Sequence, residues 1–445
     1  MSIRDIVVLA VILLSLPVCF LRPYFGILVW TVMSFVNPQS FAWGLAQQSS
    51  PAFAVAVATL IGFCIFSPRL SFVNSREVIL LIILWGWFTL TTVNSVQSPL
   101  FIENAESTWY HWQLVSKILL MTVITVAVVN SSTRLRWIAL AVAGSFGLLI
   151  IKNLPFMIIT GGGDRVYGPP NSMIADNNDF GLALDMALPF FFFLARNETN
   201  PKLKWTLGFL FLATIPAIFF TYSRGALLGL IAVIGCMLLQ SQRKILLVPF
   251  VLFVVVFALL FTNSTWKARM SQTAEGNLDA SAMNRINAWE YSWNLARDYP
   301  VMGGGFDAFT PALFQRYAPN PEDVHGPHSV YFGVLAEHGF TGLFLYLLLV
   351  ASSFFSLRRI KKLARRFGDL RTADYADMLR FSLVGFLTAG AFLGRAYFDF
   401  YFLIIACVAS LKAVSYSEWA HAAVSEREPS PEHGDLVDAS RQVTA

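Results

Sequence analysis

Three arginines and a histidine are the residues of this 445-residue chain whose types and settings could do chemistry. Arg224 stands in Tyr222, Ser223, Arg224 and Gly225, between two apolar runs with almost no loop to solvate it. An unpaired charge at that depth costs roughly 2.5 to 3.5 kcal/mol on insertion scales, so an anionic partner is expected. No acid adjoins Arg224 in sequence. An external phosphate suits the planar fork of donors that Arg presents; snorkelling to lipid headgroups or pairing with a distant Asp are the competing readings. Arg165 and Arg285 lie in two other polar interruptions. His328 can take a proton from a hydroxyl near neutral pH, as group transfer to an alcohol requires. Its competitors are His325, which also reads as a polar loop residue, and His338, which lies inside the next apolar run beside Glu337. His325 and His328 are three apart but lack a clear third metal ligand. Asp164, Asp176 and Asp179 could hold a divalent ion, although loop solvation or pairing with Arg165 explains them as well.

The elements that must position these groups are membrane helices. The chain is 56% hydrophobic and only 13% charged, far from the roughly 25% charged residues of soluble domains. Apolar runs near the length of a bilayer span recur along it. They predict an all-α polytopic membrane protein with about twelve spans. Two short runs within the first 36 residues meet at Arg22 and Pro23, with no evident small-residue cleavage site for a signal peptide. Spans then follow at 51–66, 78–94, 114–130, 136–159, 180–195, 205–221, 225–240 and 244–262, and after a gap at 330–356, 380–394 and 396–414. The domain reading is a set of N-terminal transmembrane helices over 1–262, a large polar loop 263–329, C-terminal helices 330–415 and a disordered tail 416–445. Cys19, Cys64, Cys236 and Cys407 all fall in apolar runs and read as buried hydrophobes. The net charge of +5 is assigned to cytoplasmic loops rather than to nucleic-acid binding.

Orientation follows from the positive-inside bias. Basic connections carry Arg69 and Arg76, Arg134 and Arg136, Arg196 with Lys202 and Lys204, Arg243 and Lys244, and the run from Arg358 to Arg380. They alternate with 94–112, which has no Lys or Arg, with 160–179, with 222–224 and with the large loop. The alternation places that loop, and with it Arg165, Arg224, Arg285 and His328, outside the cytoplasm.

Within the loop, Ile286, Trp289, Trp293 and Ala296 recur at helical spacing. Ser281 is the expected N-cap and Pro300 the terminator, giving an amphipathic helix against the membrane surface with Arg285 one turn before Trp289. Gly303, Gly304 and Gly305 read as a flexible turn; a lone glycine run does not justify a phosphate loop.

Arg165 with Pro170 and Asn171, Ser223 to Ala226 around Arg224, Arg285 with Trp289, Pro300 and the three glycines, and His328-Ser329 with Glu337 and Gly339 form an ordered set. In that order the chain resembles the O-antigen ligase and polymerase superfamily across about 160–345. Its N-terminal region, with Arg22, Pro23, Tyr24, Phe25, Gly26, Asn37, Pro38, Trp43 and Gly44, is similar to probable O-glycosylation ligases associated with exosortase systems. Ser329 stands where members often have Asn. The resemblance implies a cofactor-free, metal-independent, membrane-embedded glycosyltransferase acting on a glycan carried by undecaprenyl pyrophosphate. Its active site would face the periplasm from the inner membrane. Arg224 and Arg285 would clamp the pyrophosphate, and His328 would be base toward the acceptor hydroxyl. Arg165, Asn171, Tyr222, Trp289, His325 and His338 would contact substrate, with the lipid tail in a groove between helices.

The acceptor implied first is the lipid A core oligosaccharide, because one external loop and compact ends carry no added protein-docking domain. A polymerase or protein O-glycosylation ligase using the same donor is the alternative. A transporter of lipid-linked glycan is the reading from another class. It calls for internal repeats and mid-span charges, whereas the polar residues here gather on one side.

Overall fold

The computed structural model describes residues 3–66, 75–160, 164–240 and 280–425, with two further positions at 249 and 252. The span expected at 244–262, apart from those two positions, lies outside the described residues. So do the beginning of the polar interval, with Lys267, Arg269, Glu275 and Asp279, and the end of the tail. Among the described residues every regular element is a helix.

The order is α1 (Ile3–Leu21), α2 (Pro23–Val36), a short turn α3 (Leu45–Gln48), α4 (Pro51–Phe66), α5 (Arg76–Gln97), α6 (Ala105–Val128) and α7 (Ser132–Thr160). Then come α8 (Asn177–Asn197), α9 (Pro201–Phe220), α10 (Arg224–Gln240), α11 (Ala280–Asp298), α12 (Pro311–Tyr317), α13 (Val330–Arg366), α14 (Leu370–Gly390) and α15 (Asp399–Ser425). Eight of the described helices are long and apolar enough to cross a membrane, and α2, α4 and α10 are shorter apolar ones. The break between α1 and α2 falls at Arg22, as expected from Pro23, which occupies the first position of α2. Three boundaries move. α13 continues to Arg366, α14 starts at Leu370, and α15 runs through 416–425, where a disordered tail was expected. The last shift has a local cause: Trp419 donates to Asp369 and stacks on Phe367, so this turn of helix has packing to hold it.

The basic ends of the helices lie together and are paired. Arg136 meets Glu198, Arg196 meets Asp374 at 3.1 Å, Lys361 meets Asp377 at 2.6 Å, and Lys412 meets the buried Glu77 at 3.2 Å. These contacts join the start of α5, α7 and α14 to the end of α8, α13 and α15, as an up-and-down bundle requires. α14 is the hub, packed on α8, α10, α13 and α15. It runs antiparallel to α8: Asn197 donates to Asp374, and at mid-span Ser382 donates to the Met186 carbonyl.

α13 is broken where the site needs it. Gly339 has φ 67° and ψ −173°, outside the helical region, so carbonyls just before it lose their helical donors. Gly304 N–H donates to the Ala336 carbonyl and Gly305 N–H to the Glu337 carbonyl, each at 2.8 Å, while Phe340 N–H donates to Pro300. Broken helix within a bilayer is tolerated only when its backbone is re-satisfied in this manner. The glycine run expected to be a flexible turn is therefore a packed one. A Cβ on Gly303 would sit 2.6 Å from the Gly339 nitrogen, and one on Gly339 would sit 2.5 Å from the Val301 oxygen.

Candidate active site

The end of the bundle opposite the basic cluster collects the residues singled out above. The chain reaches it in the 164–176 segment, the 221–223 turn between α9 and α10, α11 with the 299–329 segment, and the 391–398 turn between α14 and α15. Val166 N–H donates to Phe220 and Asn177 donates to Thr221, tying the first of these stretches to the second. Asn37 reaches from the end of α2 to the Pro170 carbonyl. Gly225 packs so tightly on the 391–398 turn that a Cβ there would lie 3.2 Å from Phe392.

Trp289 is the clasp. Its indole donates to the Pro327 carbonyl at 2.7 Å, stacks on Phe332 at 5.2 Å, and lies 6.4 Å from the Phe392 ring. It thus fixes α11, the approach to His328 and the 391–398 turn together. α11 begins at Ala280 and already includes Ser281, the expected cap.

His328 is held between Pro327 and Ser329 with φ 42°, and its imidazole is exposed. Desolvation by the surrounding protein holds its pKa below the ordinary value, Arg285 adds to that, Asp176 opposes it, and His325 and Arg395 add smaller repulsions. The side chain is therefore poised in its neutral, proton-accepting form. Those interactions also place Arg285, Arg395 and Asp176 in its neighbourhood. Arg395 pairs with Asp179 at 2.6 Å, in the first turn of α8. Tyr222, at φ 56°, has its hydroxyl pKa raised by burial and by Asp164, with Arg165 opposing, so Arg165 and Tyr222 are neighbours.

Arg224 occupies the first position of α10, where Ser223 caps by accepting from Ala226 N–H at 3.2 Å. A helix N-terminus carries about half a positive charge, and α8, α10, α13 and α15 all begin at this end. Backbone dipoles and guanidinium groups add to a field suited to a phosphate-type anion.

Not every expected contact residue comes to the mouth of the site. His325 is exposed on the loop and pairs with Asp323 at 2.6 Å. His338 is wholly buried one layer behind, stacked on Phe88 at 4.2 Å and sharing a 2.7 Å hydrogen bond with Thr91. Since the Thr91 hydroxyl already donates to Phe88, the His338 Nδ1–H is the donor to it. The functional-looking second imidazole is thus a packed core group beneath the glycine turn.

Beside His328 opens a cavity of about 470 Å³, lined by residues that include His111, Asn171, Asp307, Ser329, Glu337, Arg395 and Tyr397. Only Asn171 among these had been assigned a contact from sequence. Arg395 carries the signature that marked Arg224, a lone arginine between two apolar runs, and the same rule would have found it. His111, Asp307 and Tyr397 had no such signal. A further surprise is Asp185, fully buried midway along α8 against Gly229 and Gly385. It is a mid-span carboxyl that breaks the pattern of polar residues on one side.

Every non-glycine residue with positive φ among the described residues sits at this end: Asn37, Asn171, Tyr222, Asp307 and His328. Such backbone costs of order 1–3 kcal/mol per residue and persists where surrounding contacts over-determine it, a pattern that clusters at functional sites.

Residues 209–347, from α9 into α13 and including Arg224, Arg285 and His328, match the family model described as O-antigen ligase. Residues 3–199 match a family of unknown function. No curated protein matches the chain. The match over residues 209–347 supports the resemblance of this chain to the O-antigen ligase and polymerase superfamily.

Proposed function

We propose that this protein is an O-antigen ligase, moving a glycan from undecaprenyl pyrophosphate to the lipid A core oligosaccharide at the periplasmic face of the inner membrane. The observation that carries the reading is convergence. Arg165, Arg224 and Arg285, from three stretches far apart in sequence, meet the N-termini of α8, α10, α13 and α15 at the end of the bundle that presents His328.

The chemistry follows from those groups. The acceptor hydroxyl oxygen attacks the anomeric carbon, the bond from that carbon to the pyrophosphate oxygen breaks, and undecaprenyl pyrophosphate leaves. Its charge is met by Arg224 and Arg285, with Arg165 and Tyr222 beside them, so cations and helix ends supply the electrostatic stabilisation. Neutral His328 takes the hydroxyl proton. Trp289 holds the Pro327–His328 backbone in register with α11. The lipid tail lies against the apolar flanks of the helices, in contact with membrane lipids.

The test is expression of the wild type and His328→Ala in a Gram-negative strain lacking its own O-antigen ligase, read on a lipopolysaccharide gel. A ladder with the wild type alone, at equal protein levels, is the expected result. A ladder with both removes His328 from the mechanism. With donor and stable protein in place, no ladder from either shifts the acceptor to a protein or a growing glycan polymer. Retained donor binding by His328→Ala with lost transfer separates an enzyme from a lipid-linked glycan transporter.

A further inference from the structure

The cavity beside His328 has its own chemistry, distinct from that of the arginine cluster. Ser329 is the N-cap of α13, a position where Ser normally accepts from a backbone N–H of the first turn. Here it makes no capping bond. Its hydroxyl is buried without a hydrogen-bond partner among the described residues, and Ser329 lines the cavity. A buried hydroxyl left unsatisfied costs about 1–3 kcal/mol, a cost that a ligand group would remove.

Asp307 lines the same cavity, and the protein constrains it heavily. Its backbone is left-handed, at φ 58°. Glu337 accepts from its N–H at 2.9 Å, Asn104 donates to its carbonyl, and Ser107 donates to its carboxylate. Glu337 is itself fixed by the Tyr397 hydroxyl. His111 completes the wall, with Nδ1 3.0 Å from the Ser107 carbonyl and 4.0 Å from the Asp307 carboxylate. A carbonyl can only accept, so Nδ1 carries the proton, and in the neutral ring Nε2 keeps its lone pair.

We propose that this cavity is the acceptor pocket and that Asp307 and Ser329 bind the hydroxyls of a neutral sugar residue, a reading that rests on the transfer function proposed above. A carboxylate and an imidazole lone pair accept from sugar hydroxyls, and Ser329 can donate or accept. Asn171 adds an amide at the rim. Several convergent groups suit a ring bearing several hydroxyls better than a side chain bearing one. Arg395 also lines the cavity but is committed to Asp179, whereas Asp307 faces it as a carboxylate, so a phosphorylated or acidic sugar is disfavoured. Glu337 is a positioning residue: it holds the backbone of Asp307.

The test uses the full chain in nanodiscs and saturation-transfer NMR. The probes are uncharged methyl glycosides of gluco-, galacto- and manno-configuration, their 6-phosphates, and a Ser/Thr peptide. At least one neutral glycoside should give a signal with wild type, weakened about tenfold, as for a lost hydrogen bond, in both Asp307→Asn and Ser329→Ala. Thermal unfolding of each variant reports folding, and Ser329→Ala alone suffices should Asp307→Asn not fold. Arg224→Ala should keep the glycoside signal and lose binding of undecaprenyl pyrophosphate. Signals unchanged in the folded variants, no signal from any neutral glycoside, stronger signals from the 6-phosphates, or binding of the peptide alone would each overturn the proposal. If Arg224→Ala keeps undecaprenyl pyrophosphate while Asp307→Asn loses the glycoside, the donor assignment fails and the acceptor pocket stands.

Discussion

At the scale of single residues, the two groups with most chemical consequence are His328 and the arginine nearest it in effect, Arg285. Burial and Arg285 hold the His328 pKa below its ordinary value of 6.5. The neutral base is therefore already dominant at pH values where an unperturbed histidine is half protonated. For the free enzyme, kcat/KM should rise with pH along a limb whose half-point lies below pH 6.5. Arg285→Met removes a repulsion from the protonated ring, so the His328 pKa rises and the half-point of that limb moves to higher pH. The rate at the plateau should fall about 100-fold, the usual cost of removing one donor from a developing anion. A half-point that stays put in the variant would show that His328 is not the titrating base. Arg395 makes a second case: Arg395→Ala strands the Asp179 carboxylate and should destabilise the protein by about 1–3 kcal/mol, whereas Arg395→Ala combined with Asp179→Asn should recover most of that. Denaturation midpoints in detergent check both.

At the scale of elements, the site depends on a broken helix and the glycine turn that repairs it. Gly339→Ala puts a side chain on left-handed backbone and drives a Cβ to 2.5 Å from the Val301 oxygen. The strain alone is about 1–3 kcal/mol, and the clash adds to it. A clear drop in the thermal midpoint is expected, with loss of transfer, because the turn carries Asp307. Gly208→Ala in α9 is the control: nothing lies within 4 Å of the added Cβ, and Ala is the better helix former by about 1 kcal/mol. It should be neutral or stabilising. Trp289 gives a graded series. Trp289→Phe keeps a ring against Phe332 and loses the bond to Pro327, while Trp289→Ala loses both. Transfer should fall modestly in the first and at least about tenfold in the second, with protein levels measured alongside.

At the scale of the whole molecule, the two ends of the bundle differ in kind. One is a closed network of ion pairs around Asp374 and Asp377; the other gathers arginines, helix N-termini and strained backbone around a cavity. The proposed orientation puts the second end outside the cytoplasm. In a background without the native cysteines, Gly326→Cys should react with an impermeant maleimide in spheroplasts, and Arg366→Cys only after permeabilisation. The reverse pattern would invert the topology and place the arginine site in the cytoplasm, away from a periplasmic acceptor.

The sequence by itself determined the class of fold and which candidate residues gather at one end of the bundle. Low charge and repeated apolar runs leave helices as the solution for the backbone within a bilayer, which is why 51–66 and the break at Pro23 were legible residue by residue. Arginines placed where no loop can solvate them declared Arg224, and the charge bias declared which residues share an end. What only the tertiary structure decided is which polar groups share a cavity. Asp307 and His111 are about 200 residues apart in sequence, joined by Ser107 and an overlying glycine turn. His338 and His328 look alike in sequence, yet one is packed under Phe88 and the other stands at the opening. Burial and partnership are properties of neighbours brought from elsewhere in the chain, and local spacing does not encode them.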